Sequence, residues 1–335
     1  MAPSRRLAAL ARHVAVPEPG DTRISVSATA GSLGVRGKTA FNSAEVLKAF
    51  ASDPEWAGKP VWMLNLLRFT GEGAGASDYA EYAKGMMSDV FPRFGGRAVM
   101  SGYCRTVIGQ RGYHQVSIVE YPSPQAFVQM VTSGAQASKN EPRLKGLEEQ
   151  YLIPVQPGWF HIDRPAPAPA KTFTHFTVDN VWATPGGLVG ASARGARVGE
   201  TSSAREQAEA FVADTKLGDD KIVWHLNLLH FKPGGGEETY SKYAKAMGGK
   251  SGTLSLFGAR SVMAAKCFRS LIGEVSFDQA IIVEYPCRDS YLSMSASEEY
   301  MRTAHFRHEG LQDTYIISCL PELVDKTPPS PASVS

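Results

Sequence analysis

The stretch Lys59–Phe69 reads KPVWMLNLLRF, and Lys221–Phe231 reads KIVWHLNLLHF. Eight of these eleven positions are identical, at an offset of 221 − 59 = 162 residues. A second pair follows in the same order: Gln115–Pro122 (QVSIVEYP) and Gln279–Pro286 (QAIIVEYP) share six of eight positions, at an offset of 279 − 115 = 164. Two matches at nearly one offset imply an internal duplication, with a repeat the size of a small domain rather than a solenoid unit. Each quoted segment is a short apolar run bounded by turn residues, which predicts a buried strand.

Working outward, each copy opens with a predicted helix, capped by Asn42 or Ser43 in the first and by Ser202 or Ser203 in the second. After the first strand come a Gly-rich turn and a helix carrying Tyr79 and Tyr82, matched by Tyr240 and Tyr243. A spacing of three places both rings on one helical face, as helix-to-sheet core. A second strand starts at Gly95 or Gly258, and a third ends in IVEYP, where the proline stops the ladder and opens a helix. A partly helical segment with Arg143 or Arg307 precedes a last strand, Gln150–Val155 or Thr314–Ser318. The order in each copy is β-α-β-β-α-β, the ferredoxin-like pattern, with one extra leading helix. Helices cover only one face of such a sheet, so the other face needs a partner, and a second sheet in the same chain supplies it. The expected fold is therefore α+β: two ferredoxin-like repeats forming a pseudo-dimeric α/β barrel within one chain. The expected division is an N-terminal extension over 1–40, a first repeat over 41–158, a Pro/Ala/Gly-rich linker over 159–201, a second repeat over 202–321, and a disordered tail over 322–335.

Composition narrows the function classes. The 335 residues carry 35 basic and 33 acidic side chains, a formal net charge of +2, which does not advertise nucleic-acid or membrane binding. No apolar run approaches the ~18 residues of a membrane span. Cys104, Cys267, Cys287 and Cys319 form no CxxC pair, which argues against a zinc site and for packed thiols in a reducing, cytoplasmic setting. The basic N-terminus lacks the apolar core of a secretory signal, and an amphipathic targeting helix remains an alternative there. The glycines at 234–236 lack the Lys-Ser/Thr of a phosphate-cradling loop.

Strand alternation sorts the candidate site residues. His225, Asn227 and Leu229 share one face; Trp224, Leu226 and Leu228 share the other, wholly apolar face, which is expected to lie under the helices. His225 and Asn227 then point into the barrel. Met63 stands where His225 stands in the other copy, an asymmetry that could leave one working half. In this reading His225 is a general base, Asn227 an oxyanion or carbonyl donor, and Asn65 its counterpart. Glu284, with Glu120, is a strand-end acid or base, or else the partner of Arg260 or Arg97 on the adjacent strand. Arg97, Arg143, Arg260 and Arg307 are candidates to hold a substrate carboxylate. His114 is a reserve candidate whose counterpart is Asp278. His305 and His308 raise a haem alternative, although a paired histidine without context is weak support. No metal site and no cofactor are expected.

The succession MLNLL-x-F, Tyr-x-x-Tyr, FGG-R, IVEYP and a late arginine resembles the dimeric α/β-barrel superfamily, and within it is most similar to the bacterial family catalogued as domain of unknown function 1330. The resemblance covers both copies, about two thirds of the chain, and leaves out the linker and both tails. It implies two ferredoxin-like sheets packed into a barrel with a central cavity. The superfamily includes cofactor-free monooxygenases, lactone isomerases, polyketide cyclases, aldoxime dehydratases and haem proteins of the chlorite dismutase type, so the fold leaves the reaction open. The expected function is a soluble small-molecule enzyme doing proton-transfer chemistry (isomerase, dehydratase, cyclase or cofactor-free monooxygenase type) on a small apolar or aromatic compound. The alternatives are a non-catalytic ligand-binding module and a haem enzyme. The expected partner is a small-molecule ligand or substrate, with homo-oligomer formation left open.

Overall fold

A computed structural model describes residues 39–162, 165–181, 201–218, 220–249, 251–325 and 327. The expected N-terminal extension up to residue 38, the glycine-rich loop at 186–199 and the tail beyond 327 lie outside the described residues.

The first half runs α1 (Ala44–Ser52), β1 (Val61–Phe69), α2 (Ala76–Gly85), β2 (Arg97–Ile108), β3 (Gln115–Tyr121), α3 (Pro124–Thr132), α4 (Asn140–Gly146) and β4 (Leu147–Phe160). The second runs α5 (Thr201–Val212), β5 (Val223–Phe231), α6 (Gly236–Met247), the short α7 (Thr253–Leu256), β6 (Arg260–Cys267), β7 (Gln279–Tyr285), α8 (Arg288–Ser295), α9 (Glu298–Gly310) and β8 (Leu311–Cys319). The repeated stretches 59–69 and 221–231 contain β1 and β5, each strand starting two residues in. Ser43 caps α1 by accepting from the Val46 amide at 3.1 Å. Thr201 is already helical, so Ser202 and Ser203 lie inside α5 rather than at its cap.

Eight strands close into one antiparallel barrel in the order β2-β3-β1-β4-β6-β7-β5-β8 and back to β2. The first half contributes β2-β3-β1-β4 and the second β6-β7-β5-β8. The seams between them are β4–β6 and β8–β2. Closure removes every free edge from the eight strands. A two-residue strand, β9 (Leu323–Val324), adds to β2, so the tail expected to begin at 322 starts as ordered chain. Residues 165–181, expected as a linker, lie against the second half: the Thr174 amide donates to Ser293 Oγ at 2.9 Å, and Phe176 and Val181 are buried.

Residues from all eight strands fill the barrel, among them Trp62, Leu64, Ile153, Trp224, Leu226 and Ile317. The helices lie outside, over a second apolar layer in each half. Each leading helix reaches across to the opposite half. Phe50 of α1 meets Phe268 with ring centroids 5.0 Å apart, and Asn42 donates to Ser270 O and Gly273 O. Reciprocally, Gln207 of α5 donates to Gly109 O, and Asp214 accepts from Tyr103 Oη at 2.6 Å and pairs with Arg105.

Candidate functional site

The barrel fixes which way each strand residue faces, and it corrects the expected faces. Trp62, Leu64 and Leu66, with Trp224, Leu226 and Leu228, occupy the barrel interior. His225, Asn227, Met63 and Asn65 therefore face outward, beneath the helices. Both faces of these strands are covered, one by the opposite sheet and one by helices, so both carry apolar residues and apolarity alone does not tell them apart.

Glu284 and Glu120 fall on the interior face, at one end of the barrel. Trp224 Nε1–H donates to Glu284 Oε2 at 3.0 Å, and Arg260 Nε donates to Glu284 Oε1 at 2.7 Å. The first half repeats the arrangement: Trp62 Nε1–H donates to Glu120 Oε2 at 2.7 Å, and Arg97 Nη2 pairs with the same oxygen at 2.9 Å. Two candidates for catalysis and two for substrate binding are thereby committed to one another. The indole and guanidinium donors are what permit a buried carboxylate. His114 also does structural work, because its Nδ1 accepts from the Phe69 amide at 3.0 Å. Its counterpart Asp278 accepts from the Phe231 amide at 2.7 Å, so the His/Asp exchange keeps one acceptor. His305 is exposed and His308 half-buried on α9, and neither lines the two cavities described next.

Two cavities lie between sheet and helices, one in each half. The first-half cavity measures about 360 Å³. Met63, Tyr79, Tyr82 and Phe127 line its apolar wall, and Met86 enters from a π-helical turn, Met86–Val90, that continues α2. Three polar side chains converge in it, Asn65, Arg143 and Gln150, each less than a tenth exposed. Arg143 of α4 donates through Nη2 to Gln150 Oε1 and, at 2.9 Å, to Thr39 O. Gln150 Nε2 donates to Asn65 Oδ1 at 2.7 Å, and Asn65 Nδ2 donates to Met63 O at 2.9 Å. The relay runs from a buried cation to a backbone carbonyl. Each amide nitrogen has two N–H bonds and commits one, which leaves one on Asn65 and one on Gln150.

The second-half cavity is smaller, about 90 Å³. At the 164-residue offset, Tyr291 replaces Phe127 and Tyr300 replaces Gln136, which narrows the space. Thr314 replaces Gln150, and the relay stops there: Thr314 Oγ1 donates to Leu228 O at 2.9 Å, while Asn227 Nδ2 donates to His225 O at 3.0 Å. His225 is 1% exposed, and its ring sits 4.0 Å from that of Tyr291 and 5.0 Å from that of Tyr285. Burial pulls its pKa down to about 3, so it is a neutral imidazole near pH 7 and a far weaker base than a histidine poised near neutrality. Neither ring nitrogen has a hydrogen-bond partner among the described residues.

Of the residues weighed from sequence, the first-half cavity holds Asn65 and Arg143, and the second holds His225, Asn227 and Arg307. Gln150, which joins Asn65 to Arg143, was missed. Its signal is a polar residue opening an otherwise apolar strand, QYLIPV. Among the described residues, no three His, Cys, Asp or Glu side chains cluster as metal ligands, and no helix is long and apolar enough to cross a membrane.

A closed antiparallel barrel, wrapped by helices that roof one cavity per half, is the class this geometry defines. A protein of unknown function from Rhodopseudomonas palustris is 31% identical to the chain; the match covers 34% of this chain and 93% of that protein, with a TM-score of 0.30. An anthrone oxidase-like protein matches at 10% identity over 80% of this chain and 92% of its own, with a TM-score of 0.43. A chlorite dismutase variant from Candidatus Nitrospira defluvii matches at 8% identity over 78% and 91%, with a TM-score of 0.37. No protein-family model and no curated protein matches the chain.

Proposed function

We propose that the chain is a tandem, pseudo-dimeric member of the dimeric α/β-barrel superfamily, of the kind catalogued as domain of unknown function 1330, and that it acts on a small apolar or aromatic organic compound bound in the first-half cavity. The observation that carries this reading is the Arg143–Gln150–Asn65 relay inside a 360 Å³ space with aromatic and methionine walls. Small-molecule sites are mostly apolar, with a few convergent polar groups that fix orientation. Arg143 supplies charge toward an oxygen-bearing end of the ligand, and the uncommitted N–H bonds of Gln150 and Asn65 supply donors to an oxyanion. The chemistry that suits such a site is proton transfer on a compound acidic enough to ionise there: isomerisation, dehydration, cyclisation or cofactor-free oxygenation. Catalytic weight moves accordingly from His225 to Asn65, Gln150 and Arg143.

A second reading, a non-catalytic binding module, is favoured by one specific observation. Among the described residues, the lining of this cavity contains no histidine, and its one carboxylate, Glu322, is exposed. Mass spectrometry of small molecules extracted from the purified full chain, followed by binding and turnover assays with what is found, separates the readings. An aromatic or apolar compound is expected, with binding weakened about ten-fold or more in Arg143→Met, the equivalent of ~1.4 kcal/mol. If Asn65→Leu abolishes turnover and retains binding, the protein is an enzyme. Binding without turnover in the unaltered chain makes it a carrier or sensor. A ligand indifferent to both substitutions removes this cavity from the function.

A further inference from the structure

The second-half cavity contains a buried charge that no described residue balances. Arg307 of α9 is 2% exposed among Tyr240, Tyr243 and Tyr300. Its Nη2 reaches Thr314 Oγ1 at 3.4 Å, and its Nη1 has no partner among the described residues. Among the described residues, no carboxylate pairs with it. The first-half counterpart shows what has been lost, since Arg143 donates to Gln150 Oε1, Thr39 O and Asn140 Oδ1. At the 164-residue offset, Gln150 has become Thr314 and Asn140 has become Ala304. Both changes strip acceptors from the guanidinium while leaving it buried. A guanidinium taken out of water needs an anion or a full set of acceptors.

His225 lines the same cavity and has the same deficiency at both ring nitrogens. A neutral imidazole offers one N–H donor and one acceptor. Two buried side chains with unmet hydrogen-bonding capacity thus share one space. Its volume, about 90 Å³, equals the share of roughly three water molecules in the liquid, at ~30 Å³ each. That space suits a carboxylate of three or four heavy atoms better than an aromatic acid.

We propose that the second-half cavity is a binding site for a compact carboxylate anion, of formate or acetate size, held by the Arg307 guanidinium and by the His225 N–H. The guanidinium engages the two carboxylate oxygens, and the ring N–H donates to one of them. Tyr240, Tyr243, Tyr285, Tyr291 and Tyr300 enclose the site, and burial pushes the pKa of the first four upward. This inference does not rest on the reading of the first-half cavity.

The test is a titration of the full-length protein, ¹⁵N-labelled at histidine, with sodium acetate and with sodium formate, sodium chloride replacing them at constant ionic strength. The His225 ring signals are assigned by their loss in His225→Met. Saturable movement of the His225 signals with either carboxylate is expected, and none with chloride. Arg307→Lys should weaken the response about ten-fold, because an ammonium lacks the planar fork, and Arg307→Met should abolish it. Arg143→Met should leave it unchanged, which separates this site from the first-half cavity. Unmoved His225 signals, or a drift shared by all eight histidines, overturns the proposal. So does an equal response in Arg307→Met. Should Arg307→Met fail to fold, the titration of the unaltered chain and of Arg307→Lys decides alone.

Discussion

His225 and Met63 occupy the same position in their halves and carry opposite consequences for acid stability. With a folded-state pKa near 3, below the ~6.5 of an unfolded histidine, His225 refuses a proton that the unfolded chain accepts. Stability should therefore decline as pH falls from about 6.5 toward 3, since the unfolded state binds more protons across that window. His225→Met, which installs the first-half residue, removes this loss. Urea midpoints measured in chloride at several pH values should fall more steeply with acid in the unaltered chain than in the variant, and parallel slopes would refute the assignment. At this scale the sequence is only partly legible. That position 225 is polar where position 63 is apolar can be read directly. Which side of the sheet it faces cannot, because Leu226 and Leu228 serve the barrel as well as they would serve a helix interface. Trp224 holds the missing clue: its indole N–H needs an acceptor, and Glu284 directly across the β5–β7 ladder provides one inside the barrel.

Among the elements, strands and helices follow from pattern because each has its own punctuation. β1 and β5 end at glycine-rich turns, and β3 and β7 end at Tyr-Pro. What pattern leaves out is how the halves grip one another. Gly109 and Gly273, in the loops that follow β2 and β6, show this best. Gly273 has φ +111°, and a Cβ there would lie 2.4 Å from the Tyr151 ring of the opposite half. Gly109 meets Tyr315 in the same way. Local sequence marks both as turns and says nothing of the aromatic ring above them. Gly273→Ala should cost roughly 1–3 kcal/mol, combining left-handed backbone strain with overpacking. Gly112→Ala, where no atom lies within 4 Å of the added carbon, should cost far less. Denaturant midpoints of the two variants check the contrast, and equal midpoints would show that the loop yields freely.

For the whole molecule, the two seams and the crossed leading helices make the halves one folding unit. Neither sheet can be uncovered without exposing the interior that Trp62 and Trp224 share. Variants retaining only Trp62 or only Trp224 should thus report the same fluorescence midpoint, coincident with loss of far-ultraviolet circular dichroism. Separate midpoints would mean that the halves unfold in turn. The barrel as a whole was legible from the duplication, since two identically patterned sheets with one bare face each have few other ways to hide it. The cavities were not legible, because they depend on side-chain size between sheet and helices, where Tyr291 for Phe127 and Tyr300 for Gln136 turn a roomy pocket into a tight one.

Fusing the two sheets into a single polypeptide has a consequence for inheritance. In a symmetric assembly of identical subunits, any codon change is stamped on both sides of the axis at once, so a substitution harmful to one side cannot be hidden by the other. Here each side has its own codons. One can keep Gln150 while the other drifts to threonine, and specialisation becomes available without a second gene.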